Sequence, residues 1–80
     1  MTPVIKDVTI TLGPDAAAAD RCRLTVTSDG ETVYTRSTKF DPGYFARADR
    51  YMRDAKIYRE SGYEAQGDTL VARGRFATYE

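Results

Sequence analysis

The dipeptide Asp29-Gly30 is the feature that most constrains how this chain folds. A type I′ turn needs positive φ at both of its central residues, and Asp-Gly is one of the few pairs that adopt this turn readily. Alternating apolar and polar residues flank the dipeptide on both sides, as expected for paired strands with one buried face. The sequence therefore predicts a β-hairpin over residues 21–40.

A two-residue loop also fixes which residues face each other in this hairpin. The predicted opposite pairs are Ser28–Glu31, Val26–Val33, Leu24–Thr35 and Cys22–Ser37. Because side chains alternate along a strand, this register gathers the apolar residues on one face. The other face is predicted to carry Arg23 opposite Arg36, and Thr25 opposite Tyr34.

Further strands are predicted on either side of this hairpin in the sequence. Val4–Leu12 alternates as a strand, and residues 15–20 form a mobile connection with room for one helical turn. Gly67-Asp68 is a turn signal between a short strand at 63–66 and a longer one at 69–79. Gly74 lies in the middle of that last strand, which predicts a bulge or a close contact with neighbouring backbone.

A single helix is predicted between the hairpin and the closing strand. The segment Asp41-Pro42-Gly43 signals its start, because the carboxylate caps free N–H groups and proline tolerates the first helical position. The helix is expected to run to about Ser61, with Gly62 in the left-handed cap conformation. Ile57 is expected to lie alone on its polar side. Three tyrosines spaced seven residues apart line one edge of its apolar stripe: Tyr44, Tyr51 and Tyr58.

These segments together predict an α+β fold in one compact domain over residues 1–80. The expected architecture is a four- to five-stranded antiparallel sheet with a single helix packed on one face, in the order β-β-β-α-β. The three tyrosine rings are expected to seal the edge of the core between helix and sheet.

The composition argues against catalysis and against metal binding. The chain has 12 basic and 12 acidic residues and no histidine, which is the commonest general base and metal ligand. Its one cysteine, Cys22, falls among apolar residues and is interpreted as a small buried hydrophobe. The acidic residues show no spacing typical of a metal or phosphate site. We therefore expect no enzyme activity, no catalytic residue, no metal and no cofactor.

Arginine on the face opposite the apolar residues is the strongest candidate for a binding site. Guanidinium groups bind carboxylate or phosphate through paired hydrogen bonds, and tyrosine adds a stacking surface. The alternative interpretation is an ordinary sheet face exposed to solvent. In that case Asp7 and Glu64 neutralise part of its positive charge. The predicted partner-binding residues are Arg21, Arg23, Tyr34, Arg36, Arg73 and Arg75, with Tyr79 beside them.

Three segments give the chain a resemblance to a known group of proteins. These are the hairpin TSDGETVY, the helix DPGYFARADRYMRDAKIY and the closing strand LVARGRFATY. In size and layout the chain resembles the small anti-CRISPR proteins of bacteriophages, in particular inhibitors of type I and type I-C surveillance complexes. The resemblance implies a cytoplasmic protein in the host bacterium that binds the complex and blocks recruitment of target DNA. It carries over no functional residue, and the balanced charge departs from inhibitors that imitate DNA.

Two other functions are compatible with the same residues. A nucleic-acid-binding module would place the arginines on phosphates and stack Tyr34 or Tyr79 on bases. An accessory structural protein of a phage would assemble through an edge strand or the tyrosine column. We expect the chain to be a monomer or weak dimer, whereas assembly into a larger oligomer would favour the structural protein. No membrane segment is expected, since no apolar run approaches the roughly 20 residues of a bilayer span.

Overall fold

The computed structural model describes residues 2–15 and 18–79 of the chain. This part contains six strands and one helix: β1 Pro3–Asp15, β2 Ala18–Ser28, β3 Glu31–Lys39, α1 Tyr44–Asp54, β4 Ile57–Arg59, β5 Glu64–Gln66 and β6 Thr69–Tyr79. The strands form one antiparallel sheet in the order β3-β2-β1-β6-β4, and β5 also pairs with β6. The predicted α+β class with a single helix on the sheet is confirmed, with more short strands than expected.

Strand β1 lies in the middle of the sheet and contributes the centre of the core. Val8, Ile10 and Leu12 point to the side covered by α1 and are almost completely buried. Their neighbours on β2 and β6 continue the same apolar layer, and α1 adds Ala48 and Met52. We call this side of the sheet the helix face, and the opposite side, where the intervening residues point, the open face.

The first connection of the chain is a strand pairing and not a helical turn. β1 extends to Asp15 and β2 begins at Ala18, so these two residues pair across the connection. Residues 16 and 17 lie outside the described part of the chain. The prediction that residues 15–20 form a loose connection is therefore wrong for the residues that pair.

The turn between β2 and β3 has the predicted geometry, but the register of the hairpin differs from the predicted one. Asp29 and Gly30 both have positive φ, at 53° and 82°, and Ser28 pairs with Glu31 as expected. A register shift then follows between Val26 and Thr27, so that Val26 pairs with Tyr34 and Leu24 with Arg36. One extra residue in β3, a β-bulge, moves the whole remainder of that strand by one position.

The helix is also shorter than predicted. It begins at Tyr44 with Gly43 as its N-cap, so the predicted start, with Asp41 as the cap and Pro42 as the first helical residue, is wrong. The Asp41 carboxylate instead accepts a hydrogen bond of 2.9 Å from the Gly43 N–H before the helix starts.

The helix ends at Asp54. Lys56 takes the left-handed conformation that was expected of Gly62, with φ 66°. Ile57 then starts β4 and is 1 % exposed against the core, so its predicted place on a polar helix side is wrong.

Helix α1 is too short to span a membrane. It has 11 residues, whereas a helix that spans a bilayer needs roughly 20. Within residues 2–15 and 18–79, no helix is long and apolar enough to cross a membrane.

Gly74 is required by close packing, as its position in mid-strand predicted. A Cβ atom at this position would collide with the carbonyl oxygen of Tyr58 and would lie 2.9 Å from Cδ1 of Ile10. The absence of a side chain thus lets β4 approach β6 directly above the core.

Replacing this glycine by alanine should therefore destabilise the fold. We expect Gly74→Ala to lower the free energy of unfolding by about 1–3 kcal/mol through overpacking, measured by urea unfolding. Gly62→Ala is the matched control, because a Cβ there meets nothing within 4 Å, and it should change stability by less than about 0.5 kcal/mol. Equal effects of the two substitutions would contradict the close approach of β4.

Candidate protein-binding surface

The centre of the open face is a field of threonines. Directly paired residues point to the same side of a sheet, and the described pairs on this face are Thr9–Thr27, Thr11–Thr25 and Thr25–Thr35. Hydroxyl groups both donate and accept hydrogen bonds and carry no charge. The middle of the surface is therefore polar and neutral, and charge lies at its ends.

At one end of the open face, Arg21 and Arg23 lie together as predicted. Arg23 Nη2 is 3.4 Å from Oδ2 of Asp15, which also accepts a hydrogen bond of 2.7 Å from the Ser37 hydroxyl. Arg21 Nε in turn donates to the Ser37 oxygen at 2.9 Å. Asp15 is only 8 % exposed. This buried carboxylate, which the sequence did not single out, organises the two arginines from within the protein.

At the other end, Arg73 and Arg75 lie on β6. Arg75 forms an ion pair of 2.9 Å with Glu60 and pairs across the sheet with Asp7. The side chain of Arg73, by contrast, makes no hydrogen bond or ion pair with any residue that the structure describes. Of the two arginines at this end of the open face, Arg73 is thus the one whose N–H donors have no partner among the described residues.

The two arginine pairs do not form one site. Arg23 is paired with Gly13 of β1, and Arg73 is paired with Thr9 on the other side of that strand. Four residues along β1 and two strand spacings across it separate them by roughly 16 Å between Cα atoms. The sheet therefore places Arg21 beside Arg23 and Arg73 beside Arg75, but it does not bring all four arginines together.

Tyr34 and Arg36 lie on the other side of the sheet, so their predicted place on the open face is wrong. The bulge in β3 puts them opposite Val26 and Leu24, which belong to the core. The Arg36 guanidinium carbon lies 3.7 Å from the centre of the Tyr51 ring on α1. A hydrogen bond with Tyr34 raises the pKa of Arg36 above its ordinary value. The side chain of Tyr79 lies outside the described part of the structure.

Two apolar side chains of the open face were missed by sequence reasoning. Ile5 is 58 % exposed and Tyr58 is 47 % exposed. Tyr58 pairs with Arg75, and that row continues to Asp7, two residues along β1 from Ile5. Ile5 follows from the alternation of β1, whereas Tyr58 was assigned to the helix, which in fact ends before it.

Two shallow grooves on the open face meet at Thr9 and Arg73. They enclose about 470 and 430 Å³, and both are wide open to solvent. Asp7, Asp29 and Glu60 line the first groove, and Glu64 lines the second. Arg73 therefore lies between two acidic walls and, together with Thr9, lines both grooves.

Comparisons with known proteins give no family for this chain. No protein-family model matches it, and neither a curated protein nor a solved structure is detectably similar.

The buried carboxylate at the Arg21 end should be important for stability. Asp15→Ala leaves Ser37 and Arg23 without their shared acceptor, and we expect a loss of about 1–3 kcal/mol in the free energy of unfolding. Asp20→Ala serves as the control, since Asp20 is exposed and only its main-chain oxygen is in a described hydrogen bond. Urea unfolding of both variants measures the difference, and an unchanged midpoint for Asp15→Ala would contradict the assigned role.

Proposed function

We propose that this chain is a non-enzymatic binding protein that docks the open face of its sheet on a protein partner. The observation that carries this proposal is Arg73, an unengaged guanidinium at the junction of two grooves. Arginine and tyrosine are the residues most often found at energetically dominant points of protein interfaces. Tyr58 and Ile5 supply exposed apolar surface on the same face, beyond Arg75.

A protein partner fits this surface better than a nucleic-acid backbone does. Phosphate groups bind where basic residues outnumber acidic ones, because the affinity comes largely from neutralised phosphate charge. Here Arg23 and Arg75 are already engaged by carboxylates, and acidic side chains line both grooves beside Arg73. A mixed surface of this kind is complementary to a protein surface that itself carries both signs of charge.

We further propose that the partner is a type I CRISPR surveillance complex and that the bound protein blocks recruitment of target DNA. The support for this partner is the resemblance of the chain to phage-encoded inhibitors in its size and layout. The formal net charge of zero argues for obstruction by docking on a protein subunit, and not for imitation of DNA. On this proposal the protein acts in the cytoplasm of the host bacterium.

The test uses a purified type I surveillance complex and labelled target DNA. Added protein should reduce DNA binding in proportion to its molar amount, up to one inhibitor per binding site. Arg73→Glu should weaken inhibition about tenfold or more, as expected for removal of an anchoring arginine. Arg50→Glu is the matched control, because Arg50 is exposed on α1, and it should inhibit as the unmodified protein does.

Each unfavourable result points to a different error. Absence of binding by the unmodified protein to the complex would reject the proposed partner. Equal loss of inhibition in Arg73→Glu and Arg50→Glu would reject the open face as the docking surface. If the protein itself bound single-stranded or duplex nucleic acid, with an affinity that falls steeply as salt rises, it would be a nucleic-acid-binding module instead.

A further inference from the structure

A small pocket lies away from the open face, between one end of the sheet and the start of α1. It encloses about 60 Å³. Such a volume has room for the end of one side chain, far below the roughly 300–1,000 Å³ of a site for a drug-sized ligand. The residues that define its character are Leu12, Cys22, Phe40, Tyr44, Asp68 and Leu70.

Aromatic rings form one wall of this pocket. Phe40 follows β3 and is 63 % exposed, which is the largest exposure of a bulky apolar side chain in the described residues. Its ring stacks on that of Tyr44, with the centroids 5.1 Å apart and the planes 21° from parallel. Tyr44 in turn contacts Phe45 at 4.1 Å. The Phe40 ring therefore packs on Tyr44 while much of its surface remains exposed to water.

The floor of the pocket is apolar and uncharged. Leu12 is 2 % exposed and Cys22 is 1 % exposed, and Leu70 packs against the same core. Burial raises the pKa of the Cys22 thiol above its ordinary value, so the sulfur stays protonated at neutral pH. Such a floor is suited to a hydrocarbon chain.

The carboxylate of Asp68 lies at the rim of the pocket. Asp68 is exposed in the turn between β5 and β6, where it accepts a hydrogen bond of 3.3 Å from the Thr69 hydroxyl. The structure shows no ion pair between Asp68 and any described basic residue. An unpaired carboxylate beside exposed ring faces favours a positive charge, because the face of an aromatic ring is also negative.

We propose that this pocket binds an alkyl chain that ends in a cation, namely a lysine side chain of a protein partner. The methylene stem crosses the mouth of the pocket against Leu70 and the exposed Phe40 ring, as long basic side chains do on apolar surfaces. The ammonium group lies between the ring face and the Asp68 carboxylate. Lysine fits better than arginine, because the pocket is narrow for a broad planar guanidinium and one oxygen of the Asp68 carboxylate already accepts a hydrogen bond from the Thr69 hydroxyl, which leaves a single oxygen for a compact ammonium group. This site is independent of the open face and of the proposed partner.

The test compares two small probes with the same four-carbon chain, the cationic n-butylammonium and the neutral n-butanol. Each is titrated into the intact isotope-labelled protein, and chemical shifts are followed by NMR. We expect n-butylammonium to perturb Phe40, Tyr44 and Asp68 and to bind about three- to tenfold more tightly than n-butanol. Equal affinities of the two probes, or shifts confined to other residues, would overturn the proposal.

Two variants separate the roles of charge and ring. Asp68→Asn should abolish most of the difference between the probes, since it removes the negative charge and keeps the side-chain shape. Asp54→Asn is the matched control, an identical change at an exposed aspartate at the far end of α1 that lines neither this pocket nor the two grooves, and it should leave the difference intact. Phe40→Leu keeps the pocket apolar and removes the ring face, so it should weaken n-butylammonium more than n-butanol. A preference that survives Asp68→Asn, or is lost equally in Asp54→Asn, would contradict the site.

Discussion

The pairing of β1 with β2 on one side and β6 on the other is the constraint on which the structure depends. Ile10 lies between Val26 and Ala72, and the next inward row has Leu24 and Leu70 on either side of Leu12. A slip of one residue in either pairing would move an apolar row into water. With these rows fixed, the residues between them must face solvent. The threonine field and the arginines at its ends are thus a consequence of how the core is built.

The bulge in β3 breaks this alternation, and it changes the electrostatics of both faces. It removes Arg36 from the vicinity of Arg23 and stacks it on Tyr51. It also turns Thr38 inward, where Thr38 is 5 % exposed and accepts a hydrogen bond from Arg47 Nε at 3.0 Å. An edge strand accommodates such a shift readily, because only one neighbour has to adjust. The open face is left with arginines that do not oppose one another.

The tight turn at Asp29-Gly30 could be predicted because it depends only on residues adjacent in sequence, and both have the expected positive φ. The start of α1 was predicted less well: the Asp41 carboxylate does bond a nearby N–H, that of Gly43, but the N-cap of the helix is Gly43. The bulge could not be predicted, because period two holds only until an extra residue interrupts it. The end of α1 could not be predicted either, because Tyr58 continues the apolar stripe of the helix in the sequence. Residues 57–59 form a strand because they pair with β6, which is distant in sequence. The bulge is also the reason why the predicted place of Tyr34 and Arg36 on the open face was wrong.

The register of β2 against β3 is the most direct test of this division into two faces. Phe40 donates its N–H to the Asp20 carbonyl oxygen at 3.1 Å. Alternation then makes Thr25 and Thr35 a pair without mutual hydrogen bonds, whose Cα atoms lie only about 4.5 Å apart. We predict a strong NMR contact between the Hα atoms of Thr25 and Thr35. A strong contact between the Hα atoms of Thr25 and Tyr34 instead would mean a hairpin without the bulge, because those two residues would then form the pair without mutual hydrogen bonds, with Tyr34 and Arg36 on the open face.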